Sequence, residues 1–268
     1  MDRLRFTVLG CGSSGGVPRI GPEGPNWGAC DPENPKNRRT RCALLIQRMA
    51  DSGTTTVLID AGADISHQLI RAGAGMLDGL VITHEHADHV HGIDDLRMVM
   101  FNRRARIPAW MDARTEANLM QRFGYIFEQA ANSNYPAIMD RHLIDGPIKI
   151  DGAGGPVELN GFYVTHGDID SLGFRIGPLA YLPDVSAMTD EAWDAVSGLD
   201  CWILDALRWT RHPSHSHVEQ SLEWIAQAAP KRAFLTNLHV DIDYVDLMAK
   251  TPAHVAPAHD GLVLEYSS

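Results

Sequence analysis

The stretch Thr83-His84-Glu85-His86-Ala87-Asp88-His89 places four side chains of metal-ligand type directly after the apolar run Gly79–Ile82. In extended backbone, residues two apart share a face, so His84 and His86 can meet one cation. A turn into a helix would send Asp88 and His89 in another direction, where they can serve a second ion. Imidazole-rich donor sets suit Zn²⁺, Mn²⁺ or Fe²⁺ better than Ca²⁺, which takes oxygen ligands. A solvated loop rich in histidine is the plain alternative. The apolar strand immediately before the segment speaks against it.

One segment cannot close two coordination shells. Further outward, His166 follows the strand-like run Phe162–Thr165, Asp184 follows Ala180–Leu182, and His239 follows Ala233–Leu235 after a short turn. Each alone would be an ordinary loop residue, but together they repeat the junction seen at His84–His89. The periodicity predicts strands at Arg5–Leu9, Cys42–Ile46, Thr55–Ile59, Gly79–Thr83, Ile148–Ile150, Val157–Leu159, Phe162–Thr165, Gly173–Ile176, Leu179–Leu182, Cys201–Leu204, Ala233–Leu235 and Leu262–Leu264. Helices are predicted around Asp64–Ala72, after the caps Asp112 and Thr189, and near residues 217–229 and 243–250. A glycine- and serine-rich loop spans Gly10–Gly16, and a proline-rich polar loop runs from Pro18 to Pro35. Two batches of strands, each followed by helices, suggest a layered α/β domain with two sheets inside, although composition does not exclude one mixed sheet.

The chain has 268 residues, 44% of them apolar and 21% charged, which excludes a disordered or fibrous chain and fits one large domain spanning residues 1–268. No apolar run approaches the ~18 residues that cross a bilayer, and the start reads as a strand rather than a signal peptide, so a cytoplasmic protein is expected. With 23 Lys+Arg against 34 Asp+Glu, the net charge of −11 disfavours non-specific binding to nucleic acid or anionic membrane. Cys11, Cys30, Cys42 and Cys201 form no C-x-x-C pair and read as separate thiols.

The pattern His84-x-His86-x-Asp88-His89, with His166, Asp184 and His239, resembles the signature of the metallo-β-lactamase superfamily. Asp60, after Val57–Ile59, matches that superfamily's first acidic motif, which supports the metal site without ligating it. The resemblance runs from Gly10 to Gly261 and implies a four-layer αββα sandwich. It also implies two divalent ions, Zn or Mn: His84, His86 and His166 on one, Asp88, His89 and His239 on the other, with Asp184 bridging. Two such ions against two carboxylates and one hydroxide leave the pocket about one unit positive, which suits an anionic substrate; metal binding also lowers the pKa of water to about 7. The implied reaction is attack of that hydroxide on phosphorus, with Asp88 orienting it.

The superfamily cleaves lactams, thioesters, lactones and phosphodiesters, so the branch rests on other residues. Asp88-His89-Val90-His91-Gly92-Ile93-Asp94-Asp95-Leu96 resembles the DH-x-x-G-x-x-x-L pattern of the phosphodiesterase branch. Ser216 with Glu219 spells a capping box, predicting a helix just after Ser216 and putting His215 at its N-terminus, where backbone N–H groups attract phosphate. Pro213-Ser214-His215-Ser216-His217 resembles the H-S-T motif of ribonuclease Z-like enzymes, with His217 for threonine, and His215 matches the functional histidine that binds phosphate or protonates the leaving oxygen.

Gly10–Pro18, Asn37–Cys42 and Pro257–Gly261 look most like the phosphoribosyl cyclic phosphodiesterases of the carbon–phosphorus lyase pathway. Those relatives carry a cysteine cluster in the N-terminal loop, whereas Trp27–Pro32 offers only Cys30, so no third, structural metal is expected. Arg38, Arg39, Arg41, Arg208 and Arg211 either clamp a second phosphate or form a solvated basic loop. The expected substrate is a small anionic phosphodiester. Rivals are a tRNA 3′-processing nuclease of the ribonuclease Z type, for which no basic projecting arm is evident, a thioester or lactone hydrolase, and a non-catalytic metal-binding protein. The sequence leaves a homodimer open.

Overall fold

The structure, a computed structural model, describes residues 2–129 and 131–267. It divides into two compact units, the first built from Met1–Leu9, Ala43–Glu158 and Val263–Ser268, the second from Gly10–Cys42 and Leu159–Leu262. The described residues form two seven-stranded sheets and one two-stranded hairpin.

In the first unit the strand order is Leu262–Ser267, Arg3–Gly10, Ala43–Ala50, Gly53–Ile59, Gly79–Val81, Ile107–Met111, Met139–Leu143. Ala43–Ala50 and Gly53–Ile59 form an antiparallel hairpin, after which the sheet continues in parallel, with Ile59 beside Val81. The apolar faces of helices Ile65–Ala72, Arg97–Arg103 and Ala113–Phe127 supply Ile65, Leu69, Val99, Leu119 and Ile126 to one core with Leu58, Leu80 and Ala109. Asp112 caps the last of these helices by accepting from Thr115 N at 2.7 Å, as its sequence predicts. That helix breaks at Phe123, and the ring of Phe123 meets His91 at 5.6 Å. The helix Arg97–Arg103 carries no cap signal and is not foreseen from the sequence.

The second unit repeats the plan. The other seven-stranded sheet runs from Val255–Pro257 through Arg232–Thr236, Cys201–Asp205, Leu179–Leu182, Ile169–Ile176 and Val157–His166 to Ile148–Ile150. Leu179–Leu182, Ile169–Ile176 and Val157–His166 pair antiparallel, and the pairs from Leu179–Leu182 to Val255–Pro257 are parallel. Helices Asp190–Ala195, Val218–Ala228 and Tyr244–Lys250 cover a core of Ala192, Val218, Ile225 and Leu247 against Leu182, Trp202, Leu204 and Leu235.

Two expectations change here. Val157–Leu159 and Phe162–Thr165 are one strand, because Gly161 pairs with Phe174 and the ladder continues unbroken. The Pro18–Pro35 loop holds the hairpin Arg19–Gly21 and Gly24–Asn26. All four cysteines are buried and separate, and Cys30 Sγ donates to the Ile242 carbonyl at 3.2 Å. Among the described residues, no helix is long and apolar enough to cross a membrane.

In open α/β sheets, ligands gather at the carboxyl ends of parallel strands. In the first unit those ends deliver Asp60 and the Thr83–His89 segment. In the second they deliver Asp184, Asp205, Asn237 and His239.

Candidate metal centre

In the first unit, the segment after Gly79–Val81 stays extended through His86, which precedes the short helix Ala87–Val90. This is the strand-to-helix turn that the residue pattern required. The rings of His84 and His86 lie 4.6 Å apart between centroids, and those of His84 and His89 4.3 Å. Asp88 Oδ2 is 3.6 Å from His89 Nε2.

Asp60 organises these rings from a fully buried position with φ of 66°. Its carboxylate accepts from Thr83 N at 2.8 Å, from Thr83 Oγ1 at 2.9 Å and from His89 Nδ1 at 2.7 Å. The last contact puts the proton of His89 on Nδ1 and leaves Nε2 with a lone pair. Thr83 Oγ1 spends its single proton on Asp60, so towards His84 Nδ1, 3.0 Å away, it accepts, and His84 takes the same tautomer. Burial pushes the Asp60 carboxyl up, and its contacts with His89 and Thr83 pull it back.

Two further contacts hold the segment. Glu85, only 5% exposed, receives Arg114 Nε at 2.8 Å on its side chain and Arg122 Nη1 at 2.8 Å on its carbonyl. Ala61 N donates to His89 O and Gly92 N to Ala61 O. A Cβ at position 92 would lie 2.0 Å from Gly62 O, which explains the glycine of the DH-x-x-G pattern by close packing of two backbones.

The second unit carries its own group. His166 ends the strand Val157–His166, and its Nδ1 donates to Ser214 O at 2.5 Å. A carbonyl can only accept, so the Nε2 of His166 also holds a lone pair; it lies 3.4 Å from Asp184 Oδ2. Asn237 Nδ2 donates to Asp184 Oδ1 at 3.1 Å. The ring of His215 sits 4.6 Å from that of His166.

Behind His215 stands Asp205, fully buried, whose Oδ2 accepts from His215 Nδ1 at 3.0 Å and from Val185 N at 3.1 Å. Burial pushes the Asp205 carboxyl up to about 6, against the pull of His215. His239 Nδ1 lies 3.0 Å from Asp241 Oδ2. Burial and then Arg19 push the His239 imidazole down, while Asp241 raises it.

The capping box at Ser216 does not form. His217 is the N-cap of Val218–Ala228, and the hydroxyl of Ser216 instead donates to Asp205 O at 2.7 Å. Ser216 is buried beneath the strand end, where an unpaired carbonyl would be costly, so the local capping preference yields to the tertiary contact. His215 therefore precedes the helix by two residues and is oriented by Asp205 rather than by the helix terminus. Asp205 and Asn237 were not singled out in the sequence, although both obey the rule that selected Asp184, a polar residue closing a buried strand. Arg39 is only 1% exposed and donates to Ile242 O at 2.7 Å and Asn37 Oδ1 at 3.1 Å, so it is a structural pin and not a clamp. Arg38 stacks over Trp27 and Arg41 donates to Ser14 O.

The donor chemistry fits a borderline divalent cation: His84, His89 and His166 each have Nδ1 committed, leaving Nε2 as the ligating atom, and Asp184 adds a buried carboxylate. The beta-lactamase superfamily domain model matches residues 55–237, well over half of the chain. The chain belongs to the metallo-β-lactamase superfamily. Within it, the chain is PhnP-like and falls in the phosphodiesterase branch: it is 33% identical to a diphosphatase of the PhnP family, whose crystal structure superposes with a TM-score of 0.86 over 99% of this chain and 98% of that one. The metallo-β-lactamase fold protein YhfI of Bacillus subtilis shares the fold at 18% identity, with a TM-score of 0.71 over 99% and 100% of the two chains. A Porphyromonas gingivalis octanoyltransferase is 29% identical over 97% of this chain and 51% of its own length. A ribonuclease Z of Bradyrhizobium sp. is 38% identical over 53% of this chain and 45% of its own. The chain thus spans about half the length of these sequence relatives.

Proposed function

We propose that this metallo-β-lactamase-fold chain is a dinuclear metal-dependent phosphodiesterase acting on a small anionic phosphodiester, of the cyclic ribose phosphate or nucleotide kind. His84, His86, His166 and Asp184 would hold one ion. Asp88, His89 and His239 would hold the other, with Asp184 shared. When bound, the ions supply Lewis acidity and an activated water.

The residues do the rest. Asp60 fixes the tautomer of His89, and Ser214 O that of His166, so neither ring must reorganise during turnover. Asp88 orients the attacking water. Asp205 holds the ring of His215 and favours its imidazolium, which donates the Nε2 proton to the leaving oxygen or binds a non-bridging oxygen.

The observation that carries this reading is the His215–Asp205 pair beside His166. A buried carboxylate behind a histidine suits protonation of a poor alkoxide leaving group more than opening of a thioester, whose thiolate leaves readily. The PhnP-family diphosphatase likewise acts on a phosphoryl compound by its name. The ribonuclease Z likeness favours a second reading, a tRNA 3′-processing endonuclease, which the net charge of −11 opposes.

The test combines metal analysis with turnover of bis(p-nitrophenyl) phosphate, a ribose cyclic phosphate, a precursor tRNA and a thioester. Two bound ions and turnover confined to the small phosphodiesters are expected, with Asp184→Ala losing at least one ion and the activity. An Asp184→Ala variant that keeps both ions and full turnover would refute the ligand set.

A further inference from the structure

Three segments that the mechanism above leaves unused, Gly10–Pro18, Asn37–Cys42 and Pro257–Gly261, meet in the second unit at the carboxylate of Asp260. Val255–Pro257 is the parallel neighbour of Arg232–Thr236, with Leu235 beside Pro257, and Ala258 N donates to Leu235 O at 2.8 Å. One of these strands leads into Asn237 and His239. The other leads into Asp260, with Gly261 at φ of 84° in the turn that follows. Asp260 Oδ1 accepts from Cys11 N at 3.1 Å and Cys11 Sγ at 3.5 Å, and Oδ2 from Thr40 N at 2.9 Å and Thr40 Oγ1 at 2.6 Å. Gly12 N donates to Thr40 O at 2.8 Å, so the two N-terminal segments are also tied to each other. The loop held in this way takes both backbone groups of Leu238: Leu238 N donates to Cys11 O at 2.9 Å, and Ser13 N to Leu238 O at 3.3 Å. The next residue is His239, whose own N donates to Leu207 O at 2.9 Å.

His84 and His89 are held at Nδ1 by the buried Thr83 and Asp60, but the Nδ1 of His239 meets Asp241, whose side chain is 50% exposed. The place of the His239 ring is therefore set chiefly by its main chain. We propose that Asp260 is a positioning residue for His239, acting through Cys11 and Leu238, and that it sets the affinity of the ion His239 would hold. This rests on the dinuclear reading above and adds a residue that controls one of its two ions. Each Asp260 oxygen faces a backbone N–H, so the position calls for a group that only accepts. An amide there would turn its own N–H groups against one of those donors.

The experiment titrates the metal-free protein with Zn²⁺ against a chelator and reads the two stepwise affinities. Wild type, Asp260→Asn, Thr40→Val, Thr40→Ser, His239→Ala and the double variant Asp260→Asn/His239→Ala are compared. His239→Ala should lose one ion and keep the other. Asp260→Asn should weaken that same ion by about 10- to 100-fold and leave the other unchanged. Thr40→Val, which removes the hydroxyl, should weaken it by a smaller factor, and Thr40→Ser should restore it. In the double variant, Asp260→Asn should add no loss to that of His239→Ala. A loss shared equally by both ions, or none in either Asp260→Asn or Thr40→Val, would overturn the positioning role. If Asp260→Asn does not fold, Thr40→Val against Thr40→Ser decides. A wild type that binds one ion, or a His239→Ala variant that keeps both at full affinity, would overturn the dinuclear reading itself, and the role of Asp260 with it.

Discussion

Replacing Asp205 with Asn tests the site where the structure departs most from the sequence reading. The side chain keeps its shape, but its amide nitrogen turns donors towards His215 Nδ1 and Val185 N, both of which now donate to Asp205 Oδ2 at 3.0 and 3.1 Å. The lost contact is a charge-assisted hydrogen bond in a fully buried place, so solvent does not screen it. Such bonds contribute about 1.5–3 kcal/mol, or roughly 10- to 150-fold in kcat at 1.4 kcal/mol per decade. The amide also favours the wrong tautomer of His215, which pushes the loss towards the upper end. The assay is kcat on an alkyl phosphodiester for wild type, Asp205→Asn, His215→Ala and the double variant, with folding checked by circular dichroism. If Asp205 acts through His215, the second substitution costs almost nothing in the His215→Ala background. An Asp205→Asn effect of the same size in both backgrounds would refute the coupling.

The same carboxyl predicts a pH dependence of stability in the metal-free protein. Its folded pKa of about 6 lies above the ordinary 3.8, so the folded state binds the proton more tightly and loses stability as pH rises through that window. Urea melts from about pH 4 to pH 7 should show Asp205→Asn gaining on wild type by up to about 3 kcal/mol as pH rises, and a constant gap would contradict the burial cost. Asp60→Asn should weaken metal affinity by about 10- to 100-fold in a chelator competition, since His89 loses the acceptor that sets its tautomer; unchanged affinity would remove Asp60 from that role. Gly92→Ala should cost at least about 2 kcal/mol in denaturant unfolding, because the new methyl meets Gly62 O at 2.0 Å. A fully stable variant would mean that the two backbone segments part easily.

Reading outward from Thr83–His89, most of what was legible was local. Alternating apolar residues disclose a strand, and a polar residue at its end discloses where the chain leaves the sheet, so His84, His86, His166, Asp184 and His239 could be chosen from short windows. Charge and composition excluded whole classes of protein for the same reason, being sums over the chain. The tautomers of His89 and His166 were set instead by partners 29 and 48 residues away, and the orientation of His215 by a carboxylate on another strand. Ser216 obeyed that strand end rather than its own helix, and Arg39 went into the interior as a pin. The sequence by itself determined which side chains stand at the strand ends. Only the tertiary structure decided which proton each holds, because a hydrogen bond depends on the partner that packing brings within about 3 Å, and that partner leaves no periodic trace in the chain.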